Sequence, residues 1–555
     1  MAFNLLLERW LPVRRVSGKR DWVAPHQLTE GFAEDPIVGL DFPRADFNAA
    51  VLEFLIGVVY VALPCQKAAD WVKGSLTPPA PATLQAALSP LAFAFDFDGD
   101  GPRAYQDTSD LAAADCRPIT GLFIDFPGEN TLKNNADLFI KRRDASALCL
   151  PYAAAATITL QTYAPSGGAG HRTSIRGGGP LTTLVAPRRR LAGGGEVATL
   201  WDRIWANVPD QKWDGSDPIA GDPADHANWP LVFPWLAAAI TSSHGQIVAP
   251  ADATKRQSFF GCPRRLRLVF QQASPDHPCV LGGPAGAIMA VGFRTQNYGA
   301  NYEGWTHPLS PYRDDKKAGR LPIHPHGGAA TYGDWLAIWG YDGTPAVGVE
   351  IWDRRRALLG ATLAGDAIEA FGFDMDNAKA RQWLDIRLPW VGVYGEDAAT
   401  LRTAIAQMIG ATQKASQRLR LAIRLALWGQ RATDPKTGKP GFRLPDELPA
   451  DAATIDVTPI WQETEGPFRR HVQDLIAKPD GHLAVRKLWL KTLRGQTLRQ
   501  FDTTVDLDGL TDADPHRLLF ARDGLSRALA PWSEVAKTLD IAEPKNPKQP
   551  AKEPA

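Results

Sequence analysis

"TLRTAIAQMIGATQKASQRLRLAIRLALW", residues 400–428, is where the texture of this 555-residue chain changes. Ile405, Met408, Ile409, Thr412, Leu419, Ile423 and Ala426 recur at three- and four-residue spacing, and Arg and Lys fall on the other side. That is the pattern of an amphipathic helix with one face in a core. Further helical patterns follow at about 461–477, 483–501 and 514–538. Four helices on short or moderate connections predict a four-helix bundle. The closing "EPKNPKQPAKEPA" is rich in Pro and Lys without periodicity, which predicts a disordered tail.

Ahead of residue 392 the pattern is mixed. "LAFAFDF", "ATITLQTY", "LRLVF", "AIMAVGF" and "AVGVEIWD" read as strands by alternation and β-branched content. "FNAAVLEFLIGVVYVAL", residues 47–63, is apolar on most sides and reads as a buried helix. The fold class is therefore α+β: a large irregular mixed α/β domain over 1–392, a C-terminal four-helix bundle over 393–541 and a Pro/Lys-rich tail over 542–555. Loops as long as those of the first domain are more often functional than accidental.

Composition narrows the function. Apolar residues are 44% and charged residues 22% of the chain, as in globular proteins. Lys plus Arg and Asp plus Glu are 61 each, so nucleic-acid binding has to come from local patches rather than a global field. Five scattered cysteines with no CxxC pair predict neither a disulfide framework nor a zinc site and suit a reducing cytoplasm. No run of about 18 apolar residues is uninterrupted, so no membrane span is expected.

The stretch richest in chemistry is "YAPSGGAGHRTSIRGGGPLTTLV", residues 163–185. Gly168 and Gly170 run into His171, Arg172 and Thr173 rather than completing GxGxxG, and no Gly-Lys-Ser/Thr ending makes a Walker loop. "PLTTLV" then reads as a strand, so the helix that a phosphate loop needs is missing as well. Glycines without Cβ let main chain approach a nucleic-acid groove, with Arg172 and Arg176 as supports; equally, they make a flexible hairpin. Basic clusters stand at Lys141–Arg143, Arg188–Arg190, Arg264–Arg267 and Arg354–Arg356, each by itself readable as a solvated face. His307, His324 and His326 frame the competing reading, a metal-dependent phosphohydrolase or nuclease, although HxH without a partnered carboxylate motif is a weak ligand set. No GxSxG elbow accompanies Ser174 or Ser310.

Four stretches in order, "NLLLERWLPV" (4–13), "APSGGAGHRTSIRGGGPLTTLV", "YGANYEGWTHPLSPY" (298–312) and "GFDMDNAKARQW" (372–383), ahead of a helical bundle, resemble the CasA family. That family is the large subunit of the type I-E CRISPR Cascade surveillance complex. The resemblance implies a non-enzymatic subunit, without cofactor or metal, that reads a protospacer-adjacent motif from the minor groove of duplex DNA and nucleates the R-loop. Its partners would be guide-RNA-containing backbone and small subunits, double-stranded target DNA and the helicase-nuclease that docks on it. The family's glycine loop falls on Ser166, Gly167, Gly168, Ala169 and Gly170, followed by Arg172. The basic finger falls near Arg294, Gln296 and Asn297, with Gln296 where some relatives carry lysine. The wedge falls on Asp376 and Asn377 with Lys379 and Arg381, in a segment that also reads as a strand-to-helix junction capped by Asp374 or Asp376. A loop contacting guide RNA and complex would use Phe123, Lys141, Arg142 and Arg143. Some relatives carry paired cysteines; here Tyr152 stands at the place matching a partner of Cys149, and no structural zinc is expected.

Overall fold

The computed structural model describes residues 2–544 apart from 66, 128–132, 134–146, 166, 168–169, 192–193, 211–212, 214–225, 276, 316–318, 326–331, 340–342, 361, 377–378, 391–396, 434–437, 450–451, 453–454 and 506–513. The chain divides into two compact units, one of Met1–Gly327 with Ala337–Trp390 and one of Gly328–Leu336 with Val391–Ala555. The short segment Gly328–Leu336 is a departure from the single boundary read in the sequence.

The first unit opens with a small antiparallel sheet of β1 (Leu11–Arg15), β2 (Arg20–Val23) and β3 (Ile37–Leu40) in the order β2-β1-β3. Helix α1 (Ala45–Ala62) follows, and its apolar faces are buried nearly all round, including Phe47, Phe54, Ile56 and Val59. By length and hydropathy it could cross a membrane, but 83% of its apolar window is inside this unit, so it is a core helix. Helix α2 (Leu150–Tyr163) packs beside it. "ATITLQTY", expected as a strand, is the second half of α2. The four alanines at 153–156 favour helix, and the hydroxyls of Thr157 and Thr159 donate to the carbonyls of Ala153 and Ala155 at 2.8 and 2.7 Å. Back-bonding of this kind lets β-branched residues sit in a buried helix without stranded polar groups.

"PLTTLV" is a strand as read: β4 (Thr182–Arg190) leaves the glycine-rich stretch and pairs antiparallel with a later strand. "LRLVF" and "AIMAVGF" form β5 (Arg265–Gln272) and β6 (Ile288–Gln296), paired antiparallel. "LAFAFDF" is instead a 3-10 turn, Ser89–Ala94, entered through Pro90, with Phe95 and Phe97 buried after it. "AVGVEIWD" is also corrected. It belongs to α3 (Val347–Arg355), with Glu350 in its first turn and Arg354 and Arg355 in its last, charges that suit the helix dipole. The unit ends in a long antiparallel hairpin, β7 (Leu363–Asp376) and β8 (Lys379–Pro389), in a sheet of order β8-β7-β4 continued by Glu196–Val197.

The second unit is helical: α4 (Asp397–Trp428), α5 (Thr458–Ala477), α6 (His482–Thr504) and α7 (Pro515–Ala528). The seven periodic positions of α4 are all buried, Thr412 included. The fourth helical pattern does not run to Thr538. It stops at Ala528, ahead of Pro531, and a short α8 (Glu534–Thr538) restarts behind Ser533, whose hydroxyl accepts from Ala536 N–H. Residues 545–555 of the expected tail lie outside the described residues.

Candidate nucleic-acid interface

The glycine-rich stretch begins as α2 ends at Tyr163. Of the loop residues, Ser166, Gly168 and Ala169 lie outside the described residues; Gly167 is exposed and Gly170 half-buried. Gly170 has φ +77°, and a Cβ there would lie 2.7 Å from the Tyr298 nitrogen and 3.0 Å from Asn297 Cβ. Its carbonyl accepts from that Tyr298 N–H at 2.7 Å. Only glycine fits a left-handed residue so close to another backbone. The contact sets Gly170 on the turn that leaves β6; of the residues expected at a basic finger, Arg294 and Gln296 lie on β6 itself and Asn297 on that turn. Arg294 and Gln296 are half-buried and Asn297 is exposed.

Arg172 bonds inward, its Nε donating to the Ser242 hydroxyl at 2.8 Å; Ser242 in turn donates to the carbonyls of Tyr298 (N–H, 3.1 Å) and Gly299 (O–H, 2.7 Å). Arg172 therefore ties its own segment to the turn after β6 through Ser242. Arg176, read as a second support for nucleic acid, is corrected by the structure. It is buried, its Nη2 donates to Glu53 of α1 at 2.7 Å, and its Nη1 donates to Thr182 and Ser310. Thr182 and Tyr163 donate to the other Glu53 oxygen, so the carboxylate is enclosed by donors. This ion pair fixes both ends of the glycine-rich stretch to α1.

The second glycine cluster is the turn that launches β4. Gly177 and Gly179 have φ +85° and +69°, and a Cβ on Gly179 would meet Met375 of β7 and lie 2.9 Å from the Phe373 carbonyl. The same stretch thus touches the β7–β8 hairpin at Phe373 and Met375, ahead of the residues expected at a wedge. That hairpin replaces the strand-to-helix junction: Asp374 and Asp376 lie in strand β7, and Asp376 pairs in register with Lys379 at the start of β8. Asn377 lies outside the described residues, as does the side chain of Asp376. Lys379 is exposed, and Arg381 forks onto the buried Asp374 across the hairpin at 2.8 and 3.0 Å. Arg381 stiffens the hairpin beneath its tip.

The remaining expected residues divide. Phe123 is 9% exposed, 6.0 Å from the Phe47 ring and under the Arg44 guanidinium at 5.0 Å. Lys141, Arg142 and Arg143 lie outside the described residues. Most arginines of the other basic clusters turn out to be internal ties. Arg189 forks onto Asp202, Arg265 binds Asp107, and Arg354 and Arg355 bind Asp210, while Arg188 and Arg190 stay exposed on alternate positions of β4. Arginine runs on strands and helix ends cannot be told from phosphate contacts by sequence, because the matching carboxylates are 13 to 158 residues away.

His307 is buried against the Phe259 ring at 5.1 Å, and its Nδ1 accepts from Leu309 N–H at 3.1 Å. Burial and then Arg176 push its pKa well below the usual value, so it stays neutral. His324 bonds the Gly179 carbonyl at 2.9 Å, and His326 lies outside the described residues. Among the described residues no group of three His, Cys, Asp or Glu side chains is placed to hold a metal ion.

One juxtaposition was missed in the sequence. Cys149 and Cys279, 130 residues apart, lie side by side, with Cys149 N–H on Cys279 Sγ at 3.4 Å. The Cys149 thiol donates to Cys279, which holds Cys279 down at about 6, and the same bond with burial pushes Cys149 up. No short-range spacing signals the pair, because the parallel bridge Ala147 to Cys279 creates it.

The fold has solved counterparts. CasA from Thermus thermophilus superposes with a TM-score of 0.65 at 16% identity over 95% of this chain and 99% of that one. Cse1 from Acidimicrobium ferrooxidans gives 0.64 at 15% over 98% and 99%. A chain of a structure described as a CRISPR RNA-guided surveillance complex gives 0.63 at 16% over 95% and 99%. The architecture is that of the type I-E large subunits, as the sequence resemblance implied. Residues 4–500 match the model of the CRISPR-associated protein Cse1 family, and the chain belongs to that family.

Proposed function

We propose that this protein, as the large subunit of a cytoplasmic Cascade complex, reads the protospacer-adjacent motif of double-stranded DNA and starts strand separation. The observation that carries the reading is that one stretch, residues 163–185, meets both other expected DNA elements: Gly170 on Asn297–Tyr298 and Gly179 on Phe373 and Met375. Gly170 and Gly179 thereby bring the turn after β6 and strand β7 onto one stretch, which is tied to α1 through Glu53 and Arg176. Backbone groups suffice for a permissive reading of the minor groove, whose edges are mostly acceptors. A polar hairpin tip at the first base pair beyond the motif helps unstack it, at a cost of a few kcal/mol offset by guide pairing and backbone contacts. The subunit does no chemistry itself; guide-bearing subunits supply sequence recognition and a helicase-nuclease docks to degrade the target.

The test is Gly168→Asp in the reconstituted complex, measured against duplex targets with randomised flanking trinucleotides. Assembly should be kept and duplex binding lost, because the variant adds a negative charge and a side chain to a loop read as approaching the duplex by main chain. Normal binding by this variant sinks the loop assignment.

A further inference from the structure

The thiols of Cys149 and Cys279 are brought together by backbone pairings on either side of them. Cys149, the residue before α2, pairs with Met289 of β6, while Ala147 bridges in parallel to Cys279 and accepts from Val280 N–H at 2.9 Å. The Cys279 sulfur accepts from Cys149 N–H at 3.4 Å, and the N–H groups of Leu281 and Gly283 favour its anion as well. Three main-chain donors converging on one sulfur make a nest that suits a thiolate. The turn that supplies two of them is closed by Gly282 N–H on the Cys279 carbonyl at 2.9 Å, with Gly282 at φ +66°. A Cβ on Gly283 would overlap Cys149 Sγ and lie 2.7 Å from the Tyr152 ring, so the missing side chain makes room for the Cys149 sulfur.

The two thiols are not equivalent. Cys149 is 1% exposed, while Cys279 is half-buried in a turn whose residues Pro278 and Gly282 are exposed. A small oxidant therefore reaches Cys279 and not Cys149. The Cys149 thiol donates to Cys279, so its sulfur already faces the atom to which it would bond. No third His, Cys, Asp or Glu among the described residues joins them in a metal-holding group, and what the pair offers is dithiol chemistry. We infer that Cys149 and Cys279 are a reversible redox site, a dithiol that a hydroperoxide converts to a disulfide. The Cys279 thiolate attacks one peroxide oxygen: an S–O bond forms, the O–O bond breaks, and the departing oxygen takes up a proton and leaves as water or an alcohol. Cys279 is then a neutral sulfenic acid, and the thiolate that held the Cys149 proton in place is gone. The Cys149 proton passes to the sulfenic hydroxyl, the S–S bond forms and the S–O bond breaks, releasing water. Both sulfurs are oxidised and both peroxide oxygens reduced, and exchange with a dithiol reverses the change. In a reducing compartment such a disulfide is transient, as redox-responsive ones are. The site does not depend on the DNA reading.

The experiment treats the folded full chain with hydrogen peroxide at neutral pH, alkylates what remains and maps the peptides by mass. The unmodified chain should lose two of its five thiols and yield a Cys149–Cys279 cross-linked peptide, both thiols returning with dithiothreitol. Cys149→Ser should give no cross-link and leave Cys279 as a sulfenic acid that dimedone traps. Cys279→Ser should leave Cys149 as a free thiol, because the oxidant does not reach it. Oxidation of the exposed Cys116 while Cys149 and Cys279 both stay free overturns the site. Passage of Cys279 to sulfinic acid in the unmodified chain without a cross-link overturns it too, since the second thiol would then not resolve the first. Zinc bound to the untreated chain and lost in Cys149→Ser would make the pair a metal site instead. If either serine variant fails to fold, the map of the unmodified chain decides alone.

Discussion

Arg176 sits beside glycine in a stretch that reads as a support for nucleic acid, yet the fold buries it on a carboxylate of α1. Arg176 and Glu53 have side chains 1% and 4% exposed. Removing one partner of such a pair leaves an uncompensated charge and costs about 3–5 kcal/mol. Glu53→Gln should therefore lower the thermal midpoint clearly, and Glu53→Gln with Arg176→Met should recover most of the loss; equal losses for the single and double variants would show that the pair is not what binds the stretch to α1. The thiols give a second residue-scale expectation. An ordinary cysteine, at 9.0, gains reactivity all through pH 7 to 9, whereas Cys279 is held at about 6. Because its pKa is lowered, the thiolate is present above pH 6 and lost as the pH falls through it. Mass-mapped alkylation should be near its plateau by pH 7 and halve near pH 6; a rate still climbing through pH 8 contradicts this.

At the scale of elements, the wedge becomes a different object once it is seen as a hairpin. A junction cap would act through a helix terminus, but β7 and β8 are paired over ten positions and stapled by Arg381 on Asp374 below the tip. Asp376→Ala with Asn377→Ala in the complex should slow opening of duplex targets and spare targets already melted at the first pairs, as stopped-flow fluorescence would show; equal slowing on both contradicts a wedge. Two of the strand expectations failed at this scale for one reason. "ATITLQTY" and "AVGVEIWD" carry β-branched residues, but back-bonded threonine hydroxyls in one, and Gly348 of the other set where a Cβ would be 2.5 Å from Asn207 Oδ1, favour helices chosen by packing over local preference.

For the molecule as a whole, the surprise is Gly328–Leu336, which leaves the first unit to join the helices. Tyr332 stacks on Phe468 of α5 with centroids 4.1 Å apart, and its hydroxyl bonds Thr412 of α4 at 3.0 Å and Thr464 of α5 at 2.8 Å. It also explains why the polar Thr412 lies on the apolar face of α4. Tyr332→Ala should cost the helical unit about 3–5 kcal/mol, in the range of other large aromatic deletions. Calorimetry should show the helical transition falling; an unchanged profile would mean that the segment merely rests there.

The chain's own pattern determined the long helices through their 3.6-residue repeat, the buried α1 through its apolar run, and the strands β4, β5 and β6 through β-branched and apolar content. Its glycine spacing likewise excluded a nucleotide-phosphate loop. The tertiary structure alone decided which arginines are tied to carboxylates, that Cys149 meets Cys279, and that the stretch 163–185 meets both Asn297–Tyr298 and Phe373 and Met375. Those outcomes depend on partners distant in sequence, and a local pattern carries no record of which carboxylate, thiol or backbone the fold will bring to each residue.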